Sequence, residues 1–245
     1  MRPTALDHVA LWVADRDRLS DFLCAHLGMH VIEQSDAFTL VGPDARLGKL
    51  TLFAADGPRE PGVLERVVLR VGDPERALRA LPAGLDVDRT DGLARFDAPE
   101  GLRMGLVASR SGDTDYDIDH VVLRVPDPSR TSAELAGLGF ASDGRPTPAT
   151  TFSPRGARLT VADKAVELQG APSTGSASHA ERERPLLNHL ALLVDSAEEH
   201  LAEARRRGLE IADVVDAPNT YAVFVWGPDR IKLEYVEHKP GFALT

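Results

Sequence analysis

The apolar positions of this chain fall into one pattern that recurs four times. Leu6–Val13 ("LDHVALWV"), Leu64–Val71 ("LERVVLRV"), Ile118–Val125 ("IDHVVLRV") and Leu187–Val194 ("LNHLALLV") are alternating or continuous apolar runs rich in Val and Leu. Such runs predict buried or half-buried strands. Each is followed by a polar start and a helical stretch: "RDRLSDFLCAHLGM", "DPERALRALPAG", "DPSRTSAELAGLGF" and "SAEEHLAEARRRGLE". Asp or Ser ahead of such a stretch caps a helix, Pro suits its first turn and Gly its end. Short strand-like segments separated by turns come next, as in "AFTLVGPDARLGKLTLFA" and "YAVFVWGPDRIKLEYVE". Each unit therefore reads strand, helix, three strands, over roughly 5–56, 63–109, 117–170 and 186–238.

One such unit has too little core to stand alone and needs a neighbour. The expectation is an α+β chain of four βαβββ modules. Consecutive modules pair into an N-terminal domain, residues 1–112, and a C-terminal domain, residues 113–245. The stretches "DGPREPG", "SRSGDTDYD" and "GAPSTGSASHAERERP" separate the modules. The last reads as a flexible linker, long enough to let modules pair between chains, which is compatible with a homodimer.

Composition narrows the function classes. The chain has 245 residues, 43% of them hydrophobic and 27% charged, as in ordinary globular proteins. The formal net charge is -10, and the densest basic run, "EARRRGLE" around Arg205, closes a helix, where cations favour the dipole. No nucleic-acid partner is expected. No apolar run approaches the ~20 residues of a membrane span, and the first residues meet charge too early for a signal peptide. The single cysteine, Cys24, reads as a small hydrophobe on a helix, and a cytoplasmic location is expected.

The third position of the repeated strand carries the chemistry. It is His8, Arg66, His120 and His189 in turn. His120 precedes Glu167 by 47 residues and His189 precedes Glu234 by 45, so both later modules carry a His in the opening strand and a Glu in the closing one. Pairing those two modules would bring together His120, Glu167, His189 and Glu234, a ligand set for a divalent ion of Fe, Ni, Zn, Co or Mn. The first half offers His8, Arg66, Thr51 and Gly105 at the corresponding places, so its site reads as degenerate and His8 as structural. The remaining histidines lie in helices, a linker or near the tail. No phosphate-binding loop is present, since "GLGF" at Gly137 ends a helix, and no Ser-His-Asp order stands out.

The strand starts "DHVAL", "DHVVL" and "NHLAL" and the closing "GPDRIKLE" resemble the vicinal oxygen chelate superfamily. That group comprises glyoxalase I, the bleomycin and fosfomycin resistance proteins, methylmalonyl-CoA epimerase and the extradiol dioxygenases. Arg230 stands where Gly is common in the closing motif. The resemblance implies paired modules whose mixed sheets curl around a metal, and a small-molecule substrate that offers two neighbouring oxygens. It transfers the ligand role to His120, His189 and Glu234, with Glu167 as the fourth ligand of glyoxalase-like members.

Four protein ligands imply Lewis-acid chemistry, with Glu167 or Glu234 moving a proton as general base. The four-module layout resembles instead the extradiol dioxygenases, but the place of their acid/base His holds Lys164, no second His stands near Val215, and the place of their Tyr holds Phe224. A third class, the drug-sequestering binders, would use a cleft lined by Tyr221, Phe224 and Trp226.

Overall fold

The computed structural model describes residues 1–46, 48–110, 116–142, 156–171 and 185–242. The first module comprises β1 (Ala5–Val13), α1 (Arg16–His26), β2 (His30–Gln34), β3 (Phe38–Gly42) and β4 (Lys49–Ala54). The second has β5 (Leu64–Val71), α2 (Pro74–Ala80), β6 (Asp88–Thr90), β7 (Leu93–Asp97) and β8 (Arg103–Ala108). The third has β9 (Asp117–Val125), α3 (Pro128–Gly137), β10 (Ala141–Ser142), β11 (Gly156–Val161) and β12 (Lys164–Gly170). The fourth has β13 (Leu187–Leu193), α4 (Ala197–Arg206), β14 (Ile211–Asp216), β15 (Thr220–Trp226) and β16 (Lys232–His238). The expected order of strand, helix and three strands holds in all four.

Local chemistry sets the helix starts. Asp15, Asp73, Asp127 and Ser196 each turn a side-chain oxygen onto a first-turn N–H, and Pro74 and Pro128 fill first-turn positions. Each cap contributes about 1 kcal/mol. One face of every opening strand is fully buried: Val9, Leu11 and Val13 on β1, Val67, Leu69 and Val71 on β5, Val121, Leu123 and Val125 on β9. The helices bury Leu19 and Leu23, Ala77, Thr131 and Leu135, and Leu201 and Ala204, with α1 packed on β2, β3 and β4, α2 on β8, α3 on β11 and β12, and α4 on β15 and β16. Each such Leu contributes roughly 1.5–3 kcal/mol by leaving water. Among the described residues no helix is long and apolar enough to cross a membrane.

The strands form two mixed sheets. One eight-stranded sheet runs β14-β15-β16-β13-β1-β4-β3-β2, and the other runs β10-β11-β12-β9-β5-β8-β7-β6. The fourth module thus shares a sheet with the first, and the third with the second. β1 and β13 are joined at both ends, by Thr4 N–H to the Leu193 carbonyl at 2.7 Å and Trp12 N–H to the Leu186 carbonyl at 2.8 Å. The linker at 172–184 lies outside the described residues.

The turn before the last strand explains an oddity of the sequence. Asp229 and Arg230 both adopt left-handed backbone, with φ of 53° and 59°. That region favours glycine, which is why Arg230 stands out. Its guanidinium stacks 4.0 Å from the Trp226 ring centroid and pairs with Glu210 at 2.9 Å. Asp229 accepts hydrogen bonds from Arg130 and from the Thr131 hydroxyl, tying the turn to the start of α3.

Candidate metal centre

Strand alternation decides what the site contains. On β13 and β16 the register pairs Ala191 with Glu234, and on β15 and β16 it pairs Phe224 with Glu234. His189, two residues before Ala191, faces the same way. Its Nε2 lies 2.9 Å from Glu234 Oε2, with His189 only 3% exposed and Glu234 7%. The Phe224 ring meets the imidazole edge-on, with centroids 5.1 Å apart, and packs on the cluster of Ala191, Ala222 and Val236. The ring cannot turn without displacing that packing, so the nitrogen is held toward the carboxylate.

The same register recurs between β1 and β4, where Ala10 pairs with Thr51. His8 precedes Ala10 as His189 precedes Ala191. Thr51 therefore occupies the place that Glu234 holds on its own strand. It is buried, and its hydroxyl has no hydrogen-bond partner among the described residues. One ligand atom from each of His8, His189 and Glu234 lies within 4.8 Å of the others. Two imidazoles and a carboxylate at that spacing suit a borderline divalent ion.

The predicted ligands divide between the two sheets. His189 and Glu234 come together. His120 and Glu167 stand on β9 and β12 of the other sheet. There His120 Nδ1 lies 2.6 Å from Asp119 Oδ1, and Glu167 takes an ion pair from Arg158, its register partner on β11. Neither belongs to the group with ligand spacing. His8, read from sequence as structural, does. In the strand order β1, which carries His8, comes next to β13, and β9, which carries His120, belongs to the other sheet.

The aromatic trio also divides. Phe224 and Trp226 share the face of Glu234. Tyr221, an odd number of residues from Phe224 on an alternating strand, faces the other way, in register with Glu237. Lys232 lies 5.8 Å from the Phe224 ring centroid and 5.6 Å from that of Trp226. Burial pulls its pKa down, and Asp213 and Glu234 oppose that. Lys164, at the place of a family acid/base His, is buried and donates to the Leu6 carbonyl at 3.0 Å.

Sequence reasoning missed a second aromatic group. Trp12, on the His8 face of β1, stands 5.4 Å from Phe53, which stands 6.0 Å from Phe38, and Arg59 lies 5.8 Å over Trp12. Period-two spacing from His8 to Trp12 was the available signal.

Comparison with known proteins agrees with this fold. Residues 5–85 match the family described as the Glyoxalase/Bleomycin resistance protein/Dioxygenase superfamily. Among solved structures the chain is similar to a candidate dioxygenase from Bacillus subtilis subsp. subtilis str. 168, at 16% identity and a TM-score of 0.76, over 99% of this chain and 87% of that one. It is also similar to glyoxalase I from Zea mays, at 17% identity and a TM-score of 0.73, over 95% and 92%. A third likeness is to the cppA protein from Streptococcus pneumoniae TIGR4, at 14% identity and a TM-score of 0.57, over 96% and 98%. At these identities the likeness is one of fold. No curated protein matches the chain by sequence. The family match bears out the resemblance drawn from the strand motifs over residues 5–85.

Proposed function

We propose, on the premise that this chain is a member of the glyoxalase/bleomycin resistance/dioxygenase superfamily, that it is a metal-dependent enzyme with a two-His, one-carboxylate centre of His8, His189 and Glu234. Its reaction is of the ring-cleaving dioxygenase class, on a small aromatic diol.

The observation that carries this reading is Thr51. A glyoxalase-like centre needs a fourth protein ligand, and a carboxylate free to act as base. The strand position that would supply it holds a hydroxyl, which is no base at neutral pH. Glu167, expected in that role, is engaged by Arg158. Three protein ligands are the pattern that leaves coordination positions open for both substrate oxygens and dioxygen.

Held by His8, His189 and Glu234, iron(II) would supply the redox chemistry by which both atoms of dioxygen enter the diol product without an external reductant. The chain's own residues do the rest. Phe224 fixes the His189 ring. Trp12, Phe53 and Phe38 offer flat apolar surface that suits an aromatic ring and keeps out water. Arg59 over Trp12 is placed to attract a negative substituent.

The test joins metal analysis to oxygen uptake. The full chain, reconstituted anaerobically with Fe(II), is expected to hold about one equivalent and to consume oxygen with catechol or hydroquinone substrates. His8→Ala should lose the metal. Full metal content in that variant, or turnover of a hemithioacetal without oxygen uptake, would overturn the reading.

A further inference from the structure

The second sheet carries a counterpart of the metal centre's position, and its chemistry there is cationic. β5 presents Arg66 where β1 has His8 and β13 has His189, at the third residue of the same strand motif. Gly105 pairs with Val68 as Thr51 pairs with Ala10. A Cβ at Gly105 would stand 2.8 Å from Leu93 Cδ1, so Leu93 closes the space where a ligand side chain would stand.

Arg66, Arg95 and Arg103 share one face of this sheet: Arg95 pairs with Gly105, Gly105 pairs with Val68, and Arg66 and Arg103 stand two residues before Val68 and Gly105. Two have acidic partners, Arg103 with Glu65 at 2.9 Å and Arg95 with Asp88 at 3.2 Å. Arg66 is half-buried, and no described residue accepts a hydrogen bond from its buried Nε. Burial is the largest influence lowering its pKa, with Arg95 and Arg103 adding to it; Glu65 and Asp97 act in the other direction.

A half-buried guanidinium whose buried Nε–H has no acceptor is unfavourable, and an anion relieves it. The guanidinium fork matches a carboxylate or a phosphate in two parallel hydrogen bonds. We propose that this face of the second sheet binds a small organic anion, a carboxylate or a phosphate ester, through Arg66, with Arg95 as the neighbouring cation. The site is separate from the metal centre and stands whether or not the dioxygenase reading does.

Isothermal titration calorimetry on the full chain tests it, with inorganic phosphate and succinate titrated separately at matched ionic strength. Saturable binding of one equivalent is expected for at least one of them, and the preferred probe tells phosphate from carboxylate. Binding should weaken at least tenfold in Arg66→Gln, recover in part in Arg66→Lys, and persist in His189→Ala. Arg103→Gln removes the same charge from the same region. A loss there equal to that of Arg66→Gln would mean a diffuse field and overturn the proposal. Heats no larger than those of sodium chloride would overturn it too. A measurement without substitution covers a misfolded variant: the preferred anion should slow phenylglyoxal modification of Arg66, read by peptide mass spectrometry, and no slowing would refute the site.

Discussion

Thr51 and Glu234 hold the same register position on sister strands, one opposite Ala10 and the other opposite Ala191. Only one of them can ligate a metal as a carboxylate. Thr51→Glu should therefore convert the centre to four ligands. In metal-free protein the new buried carboxylate should lower the melting temperature, and Ni(II) or Zn(II) should restore it. Affinity should rise at least tenfold and oxygen uptake should fall. An affinity no higher than that of the unaltered chain would show that Thr51 does not face the metal.

The division of histidines between sheets makes a sharper comparison. His8→Ala and His189→Ala should each lose at least nine-tenths of bound metal by elemental analysis. His120→Ala and Glu167→Gln should keep it. Circular dichroism of all four should stay that of a folded chain. Loss of metal in His120→Ala alone would restore the ligand set expected from spacing.

Asp117 is a structural test unconnected with the metal. It is fully buried, accepts from the N–H groups of Gly48 at 2.9 Å and Ile118 at 2.8 Å, and takes an ion pair from Arg70. Removing one partner of a buried pair strands the other, so Asp117→Ala should cost roughly 3–5 kcal/mol in urea unfolding. A loss below about 1 kcal/mol would mean that water reaches Arg70 freely.

Tyr235 gives a pH dependence. Its buried hydroxyl donates to the Leu138 carbonyl at 2.7 Å, and burial, slightly opposed by Arg207, pushes its pKa well above the ordinary tyrosine value. A folded-state pKa above the unfolded one favours the neutral form. That stability is whole below pH ~10 and is lost as pH rises from there toward the folded value. Tyr235→Phe should be less stable at pH 7 by about 1–3 kcal/mol, because a buried carbonyl loses its donor. Above pH 10 its stability should fall less steeply. Parallel curves for the two proteins would exclude Tyr235 as the titrating group.

Element order was legible because each strand and helix is written locally, in apolar period and cap chemistry. The caps at Asp15, Asp73, Asp127 and Ser196 all stand where Asp or Ser precedes a helical stretch. Strand partners were not legible. Nothing near His120 or His8 in the sequence says which of them lies beside His189, because that depends on sheet order. A clue did exist in "KLT" at Lys49–Thr51 and "KLE" at Lys232–Glu234, which mark β4 and β16 as sisters. Tyr221 was grouped with Phe224 by proximity in sequence, although alternation sends them to opposite faces.

The neighbouring of β1 and β13 also has a consequence in time. His8 and Glu234 are separated by 226 residues, and contacts of such separation form late. A ribosome releases His8 long before β16 exists, so the growing chain has no centre to fill. If the proposed centre takes a metal, its capture would report that the two distant strands have met, and the ion would act as a lock on the finished sheet.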